Sequence, residues 1–113
     1  YGKPIAGHQL ISAKLGEMAT KVQAGKLMSF RALSAIDNGE RSDVHSAMAK
    51  WFGTEVACEI VADAMQIHGG NGITKDFPIE YMYRSVRPFT VTEGTTEIQK
   101  LAIGRALTGI EAF

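Results

Sequence analysis

The chain has 113 residues, with 12 lysines and arginines set against 12 aspartates and glutamates. That length fits one domain, and balanced charge without a basic stripe argues against nucleic acid or an anionic membrane as partner. The single cysteine, Cys58, cannot form an internal disulfide; in Ala-rich helical surroundings it reads as a small buried hydrophobe in a reducing compartment.

In chain order, Ile11, Leu15, Met18 and Val22 recur at helical spacing, continuing through Leu33 and Ile36, and predict a helix from about His8 to Asp37. Asn38-Gly39 supplies a left-handed stop. Ser42 or Asp43 can cap a second helix that runs to His68 and ends at Gly69-Gly70. That helix carries Met48, Trp51, Phe52, Val56, Ile60, Val61 and Met65 around much of its circumference. A helix apolar on several sides is covered on several sides, so another domain or a second subunit is expected against it. The loop "GGNGITKD" follows, then a short helix from near Pro78 that stops before Pro88, with Arg87 pushed out of helical geometry by the proline. "FTVT" reads as β-prone, and a last helix spans about Thr96 to Ile110, with Thr96 and Gln99 in capping-box spacing. No run reaches membrane-span length, and "YGKPIAGHQL" has neither a signal-peptide pattern nor an initiator Met. The expectation is an all-α helical bundle of up-down helices, cut from something longer.

Four features are candidates for chemistry, each with a plain structural reading beside it. The three glycines of "GGNG" expose backbone N–H groups that can approach a phosphate, yet they match neither a dinucleotide fingerprint nor a P-loop, and a helix cap with a turn explains them. His8, His45 and His68 follow Ile5, Ser42 and Met65 at the third position before each, so no Glu-x-x-His metal pattern exists and no metal is expected. Arg84 and Arg87 can serve an anion, or simply a helix C-terminus and an ion pair with Asp76 or Glu80. In "VTEGTTEIQ", Glu97 is an ordinary first-turn carboxylate, whereas Glu93 sits ahead of the helix beside a bend-permitting glycine. From local setting alone it is either a dipole partner or a base.

Three segments resemble the C-terminal domain of the acyl-CoA dehydrogenases, the FAD enzymes that oxidise acyl-CoA thioesters in fatty acid metabolism. "YGKPIAGHQ" is similar to the family's Phe-Gly-x-Pro-Ile-x-x-x-Gln, "QIHGGNGITKDFPIEYMYR" to its Gln-x-x-Gly-Gly-x-Gly segment, and "EGTTEIQ" to its Glu-Gly-Thr-x-Glu-Ile-Gln signature. The match runs along essentially the whole of residues 1–113. The resemblance implies that Glu93 is the catalytic base and that Gly94 lies where the backbone passes the acyl-CoA. It implies that Thr95, Thr96 and Glu97 touch the flavin, at a helix N-terminus suited to its pyrophosphate. His8 and Gln9, with Gln66, Ile67, His68, Gly69 and Gly70, would reach the FAD of a neighbouring subunit in a dimer or tetramer. An electron-transferring flavoprotein is the implied redox partner, and the bacterial cytoplasm or mitochondrial matrix the implied setting. Tyr1 replaces the family's Phe, Ser85 its Asp and Thr92 its Tyr. "GRALTGIEAF" resembles the glutaryl-CoA dehydrogenase branch, while "YRSVRPFTVTEGTTEIQ" is closer to the general acyl-CoA type. The family's N-terminal helical domain and β-domain have no counterpart in these residues. The opposing reading is a non-catalytic helical oligomerisation module that kept the fold alone.

Overall fold

The structure is a computed structural model that describes residues 2–112; Tyr1 lies outside them. Four α-helices follow one another: α1 (Gln9–Asp37), α2 (Asp43–His68), α3 (Ile79–Val86) and α4 (Thr96–Thr108). Turns of 3₁₀ helix occupy Ile5–Gly7, Gly69–Ile73 and Arg87–Thr90. No strand occurs among the described residues, and the expected all-α bundle is what forms.

α1 and α2 make an antiparallel hairpin. Gly39 (φ +69°) turns the chain left-handed, and the Gly39 and Glu40 N–H groups return to the Ile36 and Ala35 carbonyls at 3.0 and 2.8 Å. Those bonds satisfy carbonyls that the helix end leaves open. Register follows from three rungs: Lys14 with Asp63, Lys21 with Glu59 at 2.8 Å, and Gly25 against Gly53, where a Cβ on Gly25 would stand 3.9 Å from the Gly53 Cα. Lys21 also meets Glu17 at 2.6 Å, and the hydrogen bonds that it donates to Glu17 and Glu59 push its ammonium pKa up. Small residues at the seam let the backbones approach: Ala32, Ala35 and Ala47 are buried, together with Val56, Ile79 and Ile103.

Local signals that ignore tertiary partners fail at three places. Arg87 stays right-handed helical (φ −57°, ψ −43°), and the chain passes into the 3₁₀ turn that contains Pro88. The clash with a following proline disfavours that geometry without forbidding it. "FTVT" is not extended: Phe89 and Thr90 belong to that turn, and the Val91 and Thr92 N–H groups bond the Pro88 carbonyl at 2.9 and 3.0 Å. The capping box is displaced, because Thr95 is the N-cap, accepting from the Ile98 N–H at 3.4 Å, while Thr96 is already helical. α4 then ends at Thr108, where Gly109 (φ +72°) turns left-handed, two residues before Ile110.

The shape is long and thin, 57 × 24 × 23 Å. Its radius of gyration is 17.3 Å, against about 13 Å for a compact domain of this length. Its accessible surface is 7813 Å², where about 6,100 Å² suits a compact monomer of this mass. The excess is apolar in character, since Leu10, Leu27, Phe30, Leu33, Ile36 and Phe89 are all more than half exposed.

Candidate functional site

The site grows from the turn that leads into α4. Thr90, buried at the end of the 3₁₀ turn, anchors its start; its hydroxyl donates to the Arg87 carbonyl at 3.0 Å and accepts from the Arg87 guanidinium. Two residues then adopt positive φ in succession, Glu93 (+56°) and Gly94 (+89°). Glu93 is the one non-glycine residue to do so among those described, at a cost of about 1–2 kcal/mol from crowding of its Cβ. Such an outlier persists only when its surroundings over-determine it, and outliers of this kind cluster at functional sites.

The surroundings here are specific. The Gln99 side-chain amide reaches back from α4 to donate to the Glu93 carbonyl at 3.1 Å and to the Gly94 carbonyl at 3.3 Å. Lys50, on α2, donates to the same Gly94 carbonyl at 2.5 Å. A Cβ on Gly94 would stand 2.7 Å from the Gln99 amide nitrogen, so glycine is required both by φ and by space. One turn further along α2, the Glu55 carboxylate accepts from the hydroxyl of buried Thr96. α2 therefore grips residues 94–96 at two points.

Glu93 and Glu97 differ in setting. The Glu97 carboxylate pKa is held below the usual glutamate range, first by its own backbone N–H and next by the Thr95 hydroxyl. It is the dipole partner expected of a first-turn acid. Glu93 is exposed at the tip of the turn and borders none of the described cavities. One cavity of about 200 Å³ lies below the turn, lined by Glu55, Cys58, Arg87, Thr90, Thr95, Thr96 and Glu97. Burial pushes the Cys58 thiol pKa up there, in keeping with a half-buried, unreactive hydrophobe. A broader one of about 540 Å³ opens between Trp51, Glu59 and Lys100, with the Lys100 ammonium 5.0 Å from the centre of the Trp51 ring.

The remaining sequence candidates gather elsewhere. His8 and Gln9 open α1, and Gln66 to Gly70 close α2; the Lys14–Asp63 rung puts both groups at the same end of the hairpin. Gln66 lies eleven residues beyond Glu55 on α2, about 16 Å along the helix. Within one chain, then, the two groups lie at separate places along α2. Gly69 (φ +60°, ψ −140°) holds a backbone state reserved for glycine. At Gly70 an added Cβ meets nothing within 4 Å. His68 is occupied inside the chain, its Nδ1 2.7 Å from the Ala64 carbonyl and its ring edge-on to Phe77 at 5.8 Å. Arg84 takes the plain role, pairing with Glu80 at 2.6 Å. Among the described residues no three His, Cys, Asp or Glu side chains gather as a metal ion would need, and no helix is long and apolar enough to cross a membrane.

Sequence reasoning missed Lys50 and Glu55, and gave Gln99 a capping role it does not perform. The available signal was that Lys50 and Glu55 interrupt the apolar run "MAKWFGTEVA".

Residues 1–108 match the family described as acyl-CoA dehydrogenase, C-terminal domain. The chain is 46% identical over 107 residues to a 3-(aryl)acrylate reductase of Clostridium sporogenes, covering 95% of this chain and 28% of that protein. It is 42% identical, with the same coverage, to a caffeyl-CoA reductase–Etf complex subunit of Acetobacterium woodii. The solved glutaryl-CoA dehydrogenase of Mycobacterium smegmatis superposes with a TM-score of 0.95 at 32% identity, over 100% of this chain and 29% of that one. The chain thus spans a little over a quarter of the length of the proteins it matches.

Proposed function

This chain belongs to the acyl-CoA dehydrogenase family through its C-terminal domain, and on that premise we propose that it serves an FAD-dependent oxidoreductase that interconverts an acyl-CoA and its α,β-unsaturated counterpart. The observation that carries the reading is the backbone at Glu93. A carboxylate is kept, at an energetic cost, in a left-handed conformation that a glycine would adopt freely. Glu93 takes the α-proton, and the N–H groups of the turn stabilise negative charge as it develops on the thioester oxygen. Covering the exposed carboxylate with an apolar acyl chain strips water from its charged form and makes it a stronger base. The names of two relatives describe reductions; in that direction the same carboxyl returns the proton.

The residues present fit FAD in two respects. The first-turn N–H groups of α4 suit a phosphate, and Gly69-Gly70 offer exposed backbone with no side chain in the way. Thr95, Thr96 and Glu97 would hold one copy, and His8, Gln9 and Gln66 to Gly70 a neighbour's. FAD, when bound, supplies the acceptor for the β-hydride. The surplus apolar surface supports assembly into a dimer or tetramer. A relative named as an Etf-complex subunit supports an electron-transferring flavoprotein as redox partner, and relatives from bacteria favour a bacterial cytoplasm over a mitochondrial matrix. Residues 1–113 alone are expected to be inactive and to self-associate, which sedimentation at micromolar concentration checks.

Glu93→Gln in the complete flavoenzyme should retain fold, FAD and acyl-CoA binding, yet bleach its flavin about 10²–10⁴-fold more slowly. Glu97→Gln should lose far less. A Glu93→Gln enzyme bleached at near wild-type rate in stopped flow moves the base elsewhere.

A further inference from the structure

We propose that Lys50 and Gln99 are positioning residues, a two-point clamp that keeps the Glu93–Gly94 turn in the backbone state that presents Glu93 as a base. The proposal rests on the reading of Glu93 above. The peptide plane after Glu93 is set by where its carbonyl points, and Gln99 holds that carbonyl at 3.1 Å. The next plane is set by the Gly94 carbonyl, held by Gln99 at 3.3 Å and Lys50 at 2.5 Å. Since the Gln99 amide faces two acceptors, its nitrogen must be the group turned towards them.

A flip of the first plane would change ψ of Glu93 and φ of Gly94, and a flip of the second ψ of Gly94 and φ of Thr95; either would re-route the turn that carries the Glu93 carboxylate. Little in the local sequence opposes such a flip, because Gly94, between the two planes, is free to take either sign of φ. The opposition is tertiary: Lys50 stands 44 residues away in sequence and ties the turn to α2. Gly94 admits the Gln99 amide, which a Cβ would displace. Donors on these carbonyls also polarise the attached N–H groups of Gly94 and Thr95, making each a stronger donor towards a developing negative charge.

The test compares Lys50→Met, Lys50→Arg, Glu93→Gln and the double variant Lys50→Met/Glu93→Gln in the complete flavoenzyme. Lys50→Met keeps the apolar stem and removes the ammonium. Hydrogen–deuterium exchange across residues 91–99 should quicken in Lys50→Met, and kcat for flavin bleaching should fall about 10- to 100-fold, the scale set by misplacing a reacting group. KM should stay within about twofold, as for an interaction felt in the transition state alone. Lys50→Arg, which keeps a donor, should lose less. The double variant should be no slower than Glu93→Gln, because no base remains to be positioned. Unchanged exchange over 91–99 overturns the clamp whatever the rates show. Losses that multiply in the double variant overturn it too, by placing Lys50 in a separate role. A Glu93→Gln enzyme of near wild-type rate overturns instead the reading of Glu93, and the exchange data still decide whether Lys50 holds the turn.

Discussion

Gly94 and Gly70 sit in the two segments that resemblance assigns to flavin and substrate, and for opposite reasons. At Gly94 the cause lies inside the chain: φ is +89°, and a Cβ would collide with the Gln99 amide at 2.7 Å. At Gly70 no internal cause exists, since φ is not positive and the space beyond is open. The fold of this chain therefore leaves room for a side chain at Gly70 and none at Gly94. The 93–96 turn is gripped by α2, whereas the end of α2 is open surface.

That contrast can be broken experimentally, and Gly94→Val should give the largest effect. A β-branched residue at left-handed φ that also displaces Gln99 should cost about 2–4 kcal/mol of stability, read as a lowered denaturation midpoint, with flavin bleaching lost as well. A variant of unchanged midpoint would show that the turn yields freely. Gly70→Val should leave the midpoint within about 0.5 kcal/mol and instead lower FAD content, measured by the ratio of flavin to protein absorbance. Full occupancy there would remove the α2 terminus from the cofactor site.

A third change separates stability from function within the same turn. Glu93→Gly relieves the strained backbone and should raise stability by up to about 1 kcal/mol, since the relief exceeds glycine's added freedom in the unfolded chain. Thermal melting of the two proteins side by side checks this, and a lower melting temperature would mean that Glu93 makes a stabilising contact. The smallest effect belongs to Glu97→Gln. The Glu97 pKa is depressed in the folded state, so its contribution is present above the unfolded glutamate pKa and lost as pH falls through the folded one. The variant's melting temperature should lie slightly below wild type at neutral pH, and the two curves should converge in acid. Parallel curves down to about pH 3 would deny Glu97 its link to the helix N-terminus.

The two long helices were legible because their ends are written locally. Gly39 and Gly69 adopt the positive φ that a stop needs, and each lies where the apolar periodicity ends. The start of α4 at Thr96 was legible, but its cap was not, since Thr95 takes the role read into Thr96. Gln99 serves the Glu93 and Gly94 carbonyls instead of the N-cap, and that choice depends on a turn conformation no short window contains. Pro88 misled for a related reason, as Thr90 and Arg87 bond to each other and hold the chain helical through the proline. Of the site, motif resemblance supplied the 93–97 stretch. Lys50 and Glu55 were invisible because their partners, Gly94 and Thr96, are 44 and 41 residues distant.

No large side chain is sealed from solvent anywhere among the described residues; it is the small Ala35 that reaches zero exposure. Heat-capacity change on unfolding tracks the apolar surface newly exposed to water, and here much of that surface is already wet. In a calorimeter the separated chain would give a shallow stability curve and a weakly cooperative transition. Covering α1 would deepen that curve, and anything that bound the folded chain alone would make its midpoint depend on the binder's concentration as well as on temperature.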